Sequence, residues 1–106
     1  MVKKILIAVL CLSILSIAAS CEKSDQLTLV DECKQVCQLA LNQGRNLSNG
    51  PCLLDPMSNS AWVCDIAHTP RQNIDNLLEN QCNAYRNGTS THFIELTPEC
   101  ELIKVV

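Results

Sequence analysis

Asp65, His68, Arg71 and Asp75 lie close together in the segment Trp62-Val63-Cys64-Asp65-Ile66-Ala67-His68-Thr69-Pro70-Arg71-Gln72-Asn73-Ile74-Asp75-Asn76. With His92 downstream, they are the side chains of this chain best suited to chemistry. A carboxylate beside a histidine can orient the ring as a general base, and two histidines with a carboxylate can ligate a divalent metal. Either use requires the groups to meet in one cleft. Neither HExxH nor another spaced ligand motif is present, and each residue has an ordinary structural use. Asp65 can end a strand, His68 can sit in a turn, Arg71 can pair with a carboxylate and Asp75 can cap a turn. That reading outweighs the catalytic one, so no catalytic residue, metal ligand or cofactor is assigned. Asp65, His68, Arg71 and Asp75 are retained as ligand-site candidates.

The chain has eight cysteines, and they dominate the scaffold. Cys33, Cys37, Cys52, Cys64, Cys82 and Cys100 are expected to form three disulfides, because an export signal precedes them and an oxidising compartment favours pairing over thiolate metal sites. There is no CxxC redox pair, and a papain-like nucleophile would need an unpaired cysteine in an electropositive setting. Cys33 and Cys37 lie one helical turn apart on an apolar face, so they are expected to reach different partners. Which partners, the sequence does not choose.

Residues 1–21 read as a signal peptide, with Lys3 and Lys4 as the basic region, Ile5 to Ile17 as the apolar run and Ala18-Ala19-Ser20 as the cleavage zone. Ala18-Ala19-Ser20-Cys21 resembles a bacterial lipobox, with alanine at the usual leucine position. Lipidation would consume Cys21, leave six cysteines to pair and hold the domain at a membrane surface, with Glu22 to Gln26 as a short tether. Ordinary cleavage beside Cys21 is the alternative.

The remainder, 22–106, is long enough for one domain and too short for two. Trp62, Tyr85 and Phe93 are its only aromatic residues, so the core is modest and the disulfides matter more. Six Lys and Arg face eleven Asp and Glu there, a net charge of −5. Without a basic patch a nucleic-acid partner is excluded.

Leu29, Val30, Cys33, Val36, Cys37, Ala40 and Leu41 share one arc of a helix, with Thr28 as its cap and Gly44 as its stop. Thr91 to Leu96 and Glu101 to Val106 read as two antiparallel strands around Thr97-Pro98-Glu99. Ala61 to Ile66 is a third strand, and Leu53-Leu54 a weaker fourth. Thr69-Pro70-Arg71-Gln72 has the pattern of a helix start, with a short helix following within Asp75 to Tyr85. Trp62 reads as a core anchor. Asn46-Leu47-Ser48 and Asn87-Gly88-Thr89 are glycosylation sequons in loops, which makes Asn46 and Asn87 candidates for modification.

Gly50-Pro51-Cys52-Leu53, the Trp62 to Gln72 run, Asp75-Asn76, Glu79-Asn80-Gln81-Cys82 and His92-Phe93-Ile94-Glu95 resemble small exported, cysteine-rich proteins of prokaryotes, archaea among them. These share a WVCD, PRQ and ENQC core. The resemblance carries no established activity; it implies more than filler for Asp65, His68, Arg71 and Gln72.

The expected fold is α+β, an N-terminal amphipathic helix packed on a small antiparallel sheet and stapled by disulfides. The expected role is a non-enzymatic binding or interaction module, secreted or attached to the outer face of a membrane, for an unknown protein or small-molecule ligand. One alternative is a small secreted enzyme or metal-dependent hydrolase using Asp65, His68 and His92. The other is a secreted inhibitor or toxin that presents the loop from Asn46 to Asn59.

Overall fold

A computed structural model describes residues 21–106. The signal-peptide reading of Met1 to Ser20 therefore lies outside the described residues, as does the side chain of Cys21. Helix α1 spans Cys21–Asn42 and presents Leu29, Cys33, Cys37 and Ala40 as its buried face. These positions recur at helical spacing, so one stripe of the helix meets the sheet. The C-terminus closes as expected: Gly44 takes φ 77°, its N–H donates to Leu41 O at 3.0 Å and the Arg45 N–H donates to Ala40 O at 3.0 Å. This is a Schellman closure, which satisfies carbonyls the helix leaves open. The start differs from expectation, because the helix runs through Thr28 from Cys21. Glu22, Lys23, Gln26 and Leu27 are straight-chain helix formers, and no Gly or Pro interrupts them. The segment expected to be a tether is thus helical.

Four strands follow: β1 (Cys52–Leu54), β2 (Trp62–Ile66), β3 (His92–Leu96) and β4 (Leu102–Val105), adjacent in that order. The expected hairpin is present as β3 and β4, antiparallel with Glu95 opposite Lys104. β1 and β2 are also antiparallel. The sheet as a whole is mixed, since β2 and β3 run parallel with Trp62 opposite His92 and Asp65 opposite Glu95. Parallel neighbours require a crossover of a dozen or more residues, and the long connection 67–91 supplies it. In place of one short helix within Asp75 to Tyr85, this crossover holds two 3-10 turns, Asn73–Asn76 and Leu78–Asn80, and a one-turn helix α2, Asn83–Arg86. The first turn begins after Gln72 and not at Pro70, because the Asp75 carboxylate accepts the Gln72 N–H at 2.9 Å. Asp55, just past β1, caps α2 by accepting the Asn83 and Ala84 N–H groups at 2.7 and 2.8 Å.

Alternation along β2 and β3 divides the sheet into two faces. Trp62, Cys64, Ile66, Ile94 and Leu96 pack with Leu29, Cys33, Cys37 and Ala40 of α1, with Leu47 and Met57 completing this core. Val63, Asp65, Phe93 and Glu95 point to the opposite face. Three disulfides tie the layers together: Cys33–Cys64 joins α1 to β2, Cys37–Cys100 joins α1 to the β3–β4 turn, and Cys52–Cys82 joins β1 to the start of α2. Cys33 and Cys37 do reach different partners. Three disulfides suggest an oxidising, extracellular environment. Among the described residues no helix is long and apolar enough to cross a membrane.

A charged aromatic cleft as the candidate functional site

The sheet face turned away from α1 forms a cleft with the crossover. Val63 and Asp65 of β2, Phe93 and Glu95 of β3 and Lys104 of β4 supply the strand side. Arg71, Gln81, Cys82, Tyr85 and Arg86 come from the crossover, enclosing a volume of about 470 Å³. This is within the ordinary range for small-molecule pockets. The position of the crossover wall follows from the Cys52–Cys82 disulfide and from the Asp55 cap on α2, which fix both ends of the Leu54 to Asn83 approach.

Two carboxyls face each other across the parallel pair in this cleft. Glu95 is buried and accepts from Arg71 Nη1 at 2.8 Å, an ion pair that matches an anion with its cation. Arg71 is itself held by Asn76 Oδ1 at 2.8 Å and by the Asp75 carbonyl at 3.3 Å. Asp65 has no such partner: its Oδ1 is buried without a hydrogen bond. Burial pushes the Asp65 carboxyl up to about 8, the Glu95 carboxylate adds to the rise, and Arg71 offsets part of it. At neutral pH Asp65 is therefore mainly protonated, beside the Arg71–Glu95 ion pair. The cleft can hold or pass a proton and offer charge. It offers no thiol nucleophile, because Cys82 is in a disulfide.

The aromatic and cationic side chains complete the lining. Tyr85 and Phe93 meet edge to face with centroids 4.9 Å apart, and Lys104 Nζ lies 5.4 Å from the Phe93 ring centre. Sequence reasoning singled out Asp65 and Arg71 but not Glu95, Tyr85, Arg86, Phe93 or Lys104. One signal was available: Phe93 and Glu95 alternate with buried Ile94 and Leu96, so a charged side chain had to share a face with an aromatic one.

The other candidates lie elsewhere. Asp75 is almost fully buried at 1 % exposure and collects three donors. His68 N–H reaches Oδ2 at 3.0 Å, Gln72 N–H reaches Oδ2 at 2.9 Å, and His68 Nδ1 lies 2.9 Å from Oδ1. Burial works to raise this carboxyl, but the two backbone donors and the His68 ring outweigh it and hold it below its usual value. Gly50 makes room for the arrangement: at φ 68° it sits where a Cβ would collide with Asp75 Oδ1. His68 and Asp75 are thus a knot that shapes the start of the crossover, and His68 does not line the cleft. Asp75→Ala should cost about 2–3 kcal/mol by orphaning backbone donors, measured as a lower urea midpoint. A carboxyl with a depressed value contributes stability above the ordinary carboxylate range and loses it as pH falls through the lower value. Wild-type stability should therefore drop in acid more steeply than that of Asp75→Ala.

His92 stacks on Trp62 with centroids 4.5 Å apart and planes 17° from parallel, while Nδ1 lies 3.1 Å from the Val106 carbonyl. It lies on the α1 face at the far end of the strands, whereas Asp65 faces the cleft. The geometry therefore does not assemble Asp65, His68 and His92 into one hydrolytic or metal-binding centre. Among the described residues no group of three His, Cys, Asp or Glu side chains is placed to hold a metal ion. Asn46 to Asn59 is not a protruding inhibitory loop either, because it contains β1 and buries Leu47 and Met57. Asn46 and Asn87 are both exposed, each accepting hydrogen bonds from the hydroxyl residue two positions on.

The fold and cleft define a small disulfide-stapled α+β domain with a concave polar-aromatic site. Compared with known proteins, the chain matches no family model, no curated protein and no solved structure.

Proposed function

We propose that this chain is an exported, non-enzymatic binding module whose ligand seat is the cleft between the open sheet face and the crossover. The observation that carries this reading is Asp65: a buried carboxyl oxygen with no protein partner, in a cavity lined by aromatics and cations. A buried polar atom without a hydrogen bond costs stability, and a ligand hydroxyl or amide could repay that cost. In this reading the signal peptide directs export, and lipidation of Cys21 holds the module at the outer membrane face. We also propose kinship with the small exported prokaryotic proteins that share the WVCD and PRQ core.

Two measurements test these parts separately. Intact mass of the mature protein should show a start at Cys21 with a lipid adduct and six oxidised thiols, and also whether Asn46 or Asn87 carries sugar; a chain starting elsewhere without lipid removes the anchor. An amide NMR screen with small polar aromatic compounds should shift Val63, Arg86 and Phe93 together. Shifts clustering at the exposed Leu77 and Leu78 would place binding outside the cleft and contradict the reading.

A further inference from the structure

Arg71, Arg86 and Lys104 are the exposed cations that line the cleft, and of these Arg86 and Lys104 have no carboxylate partner among the described residues. Arg71 is different, since Glu95 already neutralises it. The chain as a whole is acidic, with a net charge of −3. The cleft is locally the reverse: Arg71, Arg86 and Lys104 face Glu95, while Asp65 is uncharged at neutral pH. Unpaired cations inside an acidic protein select against cationic ligands and favour an anion. Tyr85, Phe93 and Val63 beside them form an apolar wall that a bare inorganic anion would leave unused.

Resting on the cleft as the binding seat, we propose that its ligand class is the small organic carboxylate with an aromatic or otherwise apolar body. The carboxylate pairs with Arg86 and Lys104 at the rim, and the body packs on Tyr85, Phe93 and Val63. A polar group at the far end of such a ligand would approach Asp65. Amino acids fit less well, because their ammonium group would enter the field of two unpaired cations. A planar carboxylate also suits the guanidinium fork of Arg86, which can donate two parallel hydrogen bonds.

The test is a titration of the oxidised protein at pH 6.5 with 4-hydroxyphenylacetate and its neutral isostere 4-hydroxyphenylacetamide, followed by amide NMR. The acid should bind at least about tenfold more tightly than the amide, the equivalent of one charge-assisted contact. Arg86→Ala/Lys104→Ala should lose that preference, so that acid and amide bind this variant equally. Both side chains are exposed, so the variant should fold, and Arg86→Gln/Lys104→Gln provides a second neutral version. Equal affinity for acid and amide, or a preference that survives both variants, would overturn the carboxylate assignment while leaving the cleft as a binding seat. Displacement of the acid by equimolar inorganic phosphate would also overturn it, by showing that the anion alone is recognised. No response at cleft residues to either compound would remove the carboxylate assignment, and the cleft reading falls with it if the broader aromatic screen is also silent there.

Discussion

Asp65→Asn should become progressively more stable than wild type as pH rises, with the difference growing by about 4 kcal/mol between pH 4.5 and 8.5. The reason is the Asp65 carboxyl, raised by burial to about 8 in the folded protein. Unfolded, the same group releases its proton near its ordinary value of about 3.9. Between those two values the native state holds a proton that the unfolded state has lost, so raising pH favours unfolding, and the cost to the native chain is that of keeping Asp65 protonated. Below about pH 4 both states are protonated and the cost vanishes. Asparagine keeps the shape without the titration. Urea unfolding at several pH values measures the difference between the two proteins, which also cancels the opposite, acid-side contribution of Asp75. Parallel stability curves for wild type and variant would mean that Asp65 titrates normally.

Removing the Cys37–Cys100 disulfide with Cys37→Ala/Cys100→Ser should cost about 4 kcal/mol. The two cysteines are separated by 63 residues in sequence. With the other two disulfides intact, however, the unfolded chain can take a shorter covalent path of roughly 33 residues through Cys52–Cys82, and the logarithmic dependence on loop size leaves the cost nearly unchanged. The loss is large because this bond secures the helix to the β3–β4 turn, where Cys100 sits in the left-handed region at φ 70°. Chevron or equilibrium urea data would show the midpoint falling while the slope per molar urea rises, since a less constrained unfolded chain exposes more surface. An unchanged midpoint would mean that the helix is held by its apolar stripe and Cys33–Cys64 alone.

The parts of the molecule that were legible in the sequence are those set by local pattern. The Cys33 and Cys37 face follows from helical periodicity, the Gly44 stop from its freedom to adopt positive φ, and the β3–β4 hairpin from two β-prone runs around Thr97-Pro98-Glu99. What local pattern does not contain is pairing across long separations. The parallel register of β2 with β3 depends on how the connection 67–91 crosses the sheet, and that path is set by the Asp75 knot and the Cys52–Cys82 bond. The cleft inherits this opacity, because Asp65, Tyr85, Glu95 and Lys104 meet only once that register exists. Asp65 and Arg71 were visible as candidates from their neighbours in sequence. Asp65 and His68, three residues apart, nevertheless part company, because β2 ends between them and the chain turns into the crossover. His92 was misleading for a similar reason: its parallel partner is Trp62, so it stacks on the core face.

The cleft reading is carried by a buried Asp65 carboxyl without a hydrogen-bond partner at Oδ1, and a pH titration of its side-chain carboxyl carbon by 13C NMR tests that environment most directly. The account predicts a midpoint near 8, with Val63 and Phe93 amides reporting the same transition. A midpoint near the ordinary aspartate value of about 4 would contradict it, placing a charged Asp65 in the cleft and weakening the field that favours an anion.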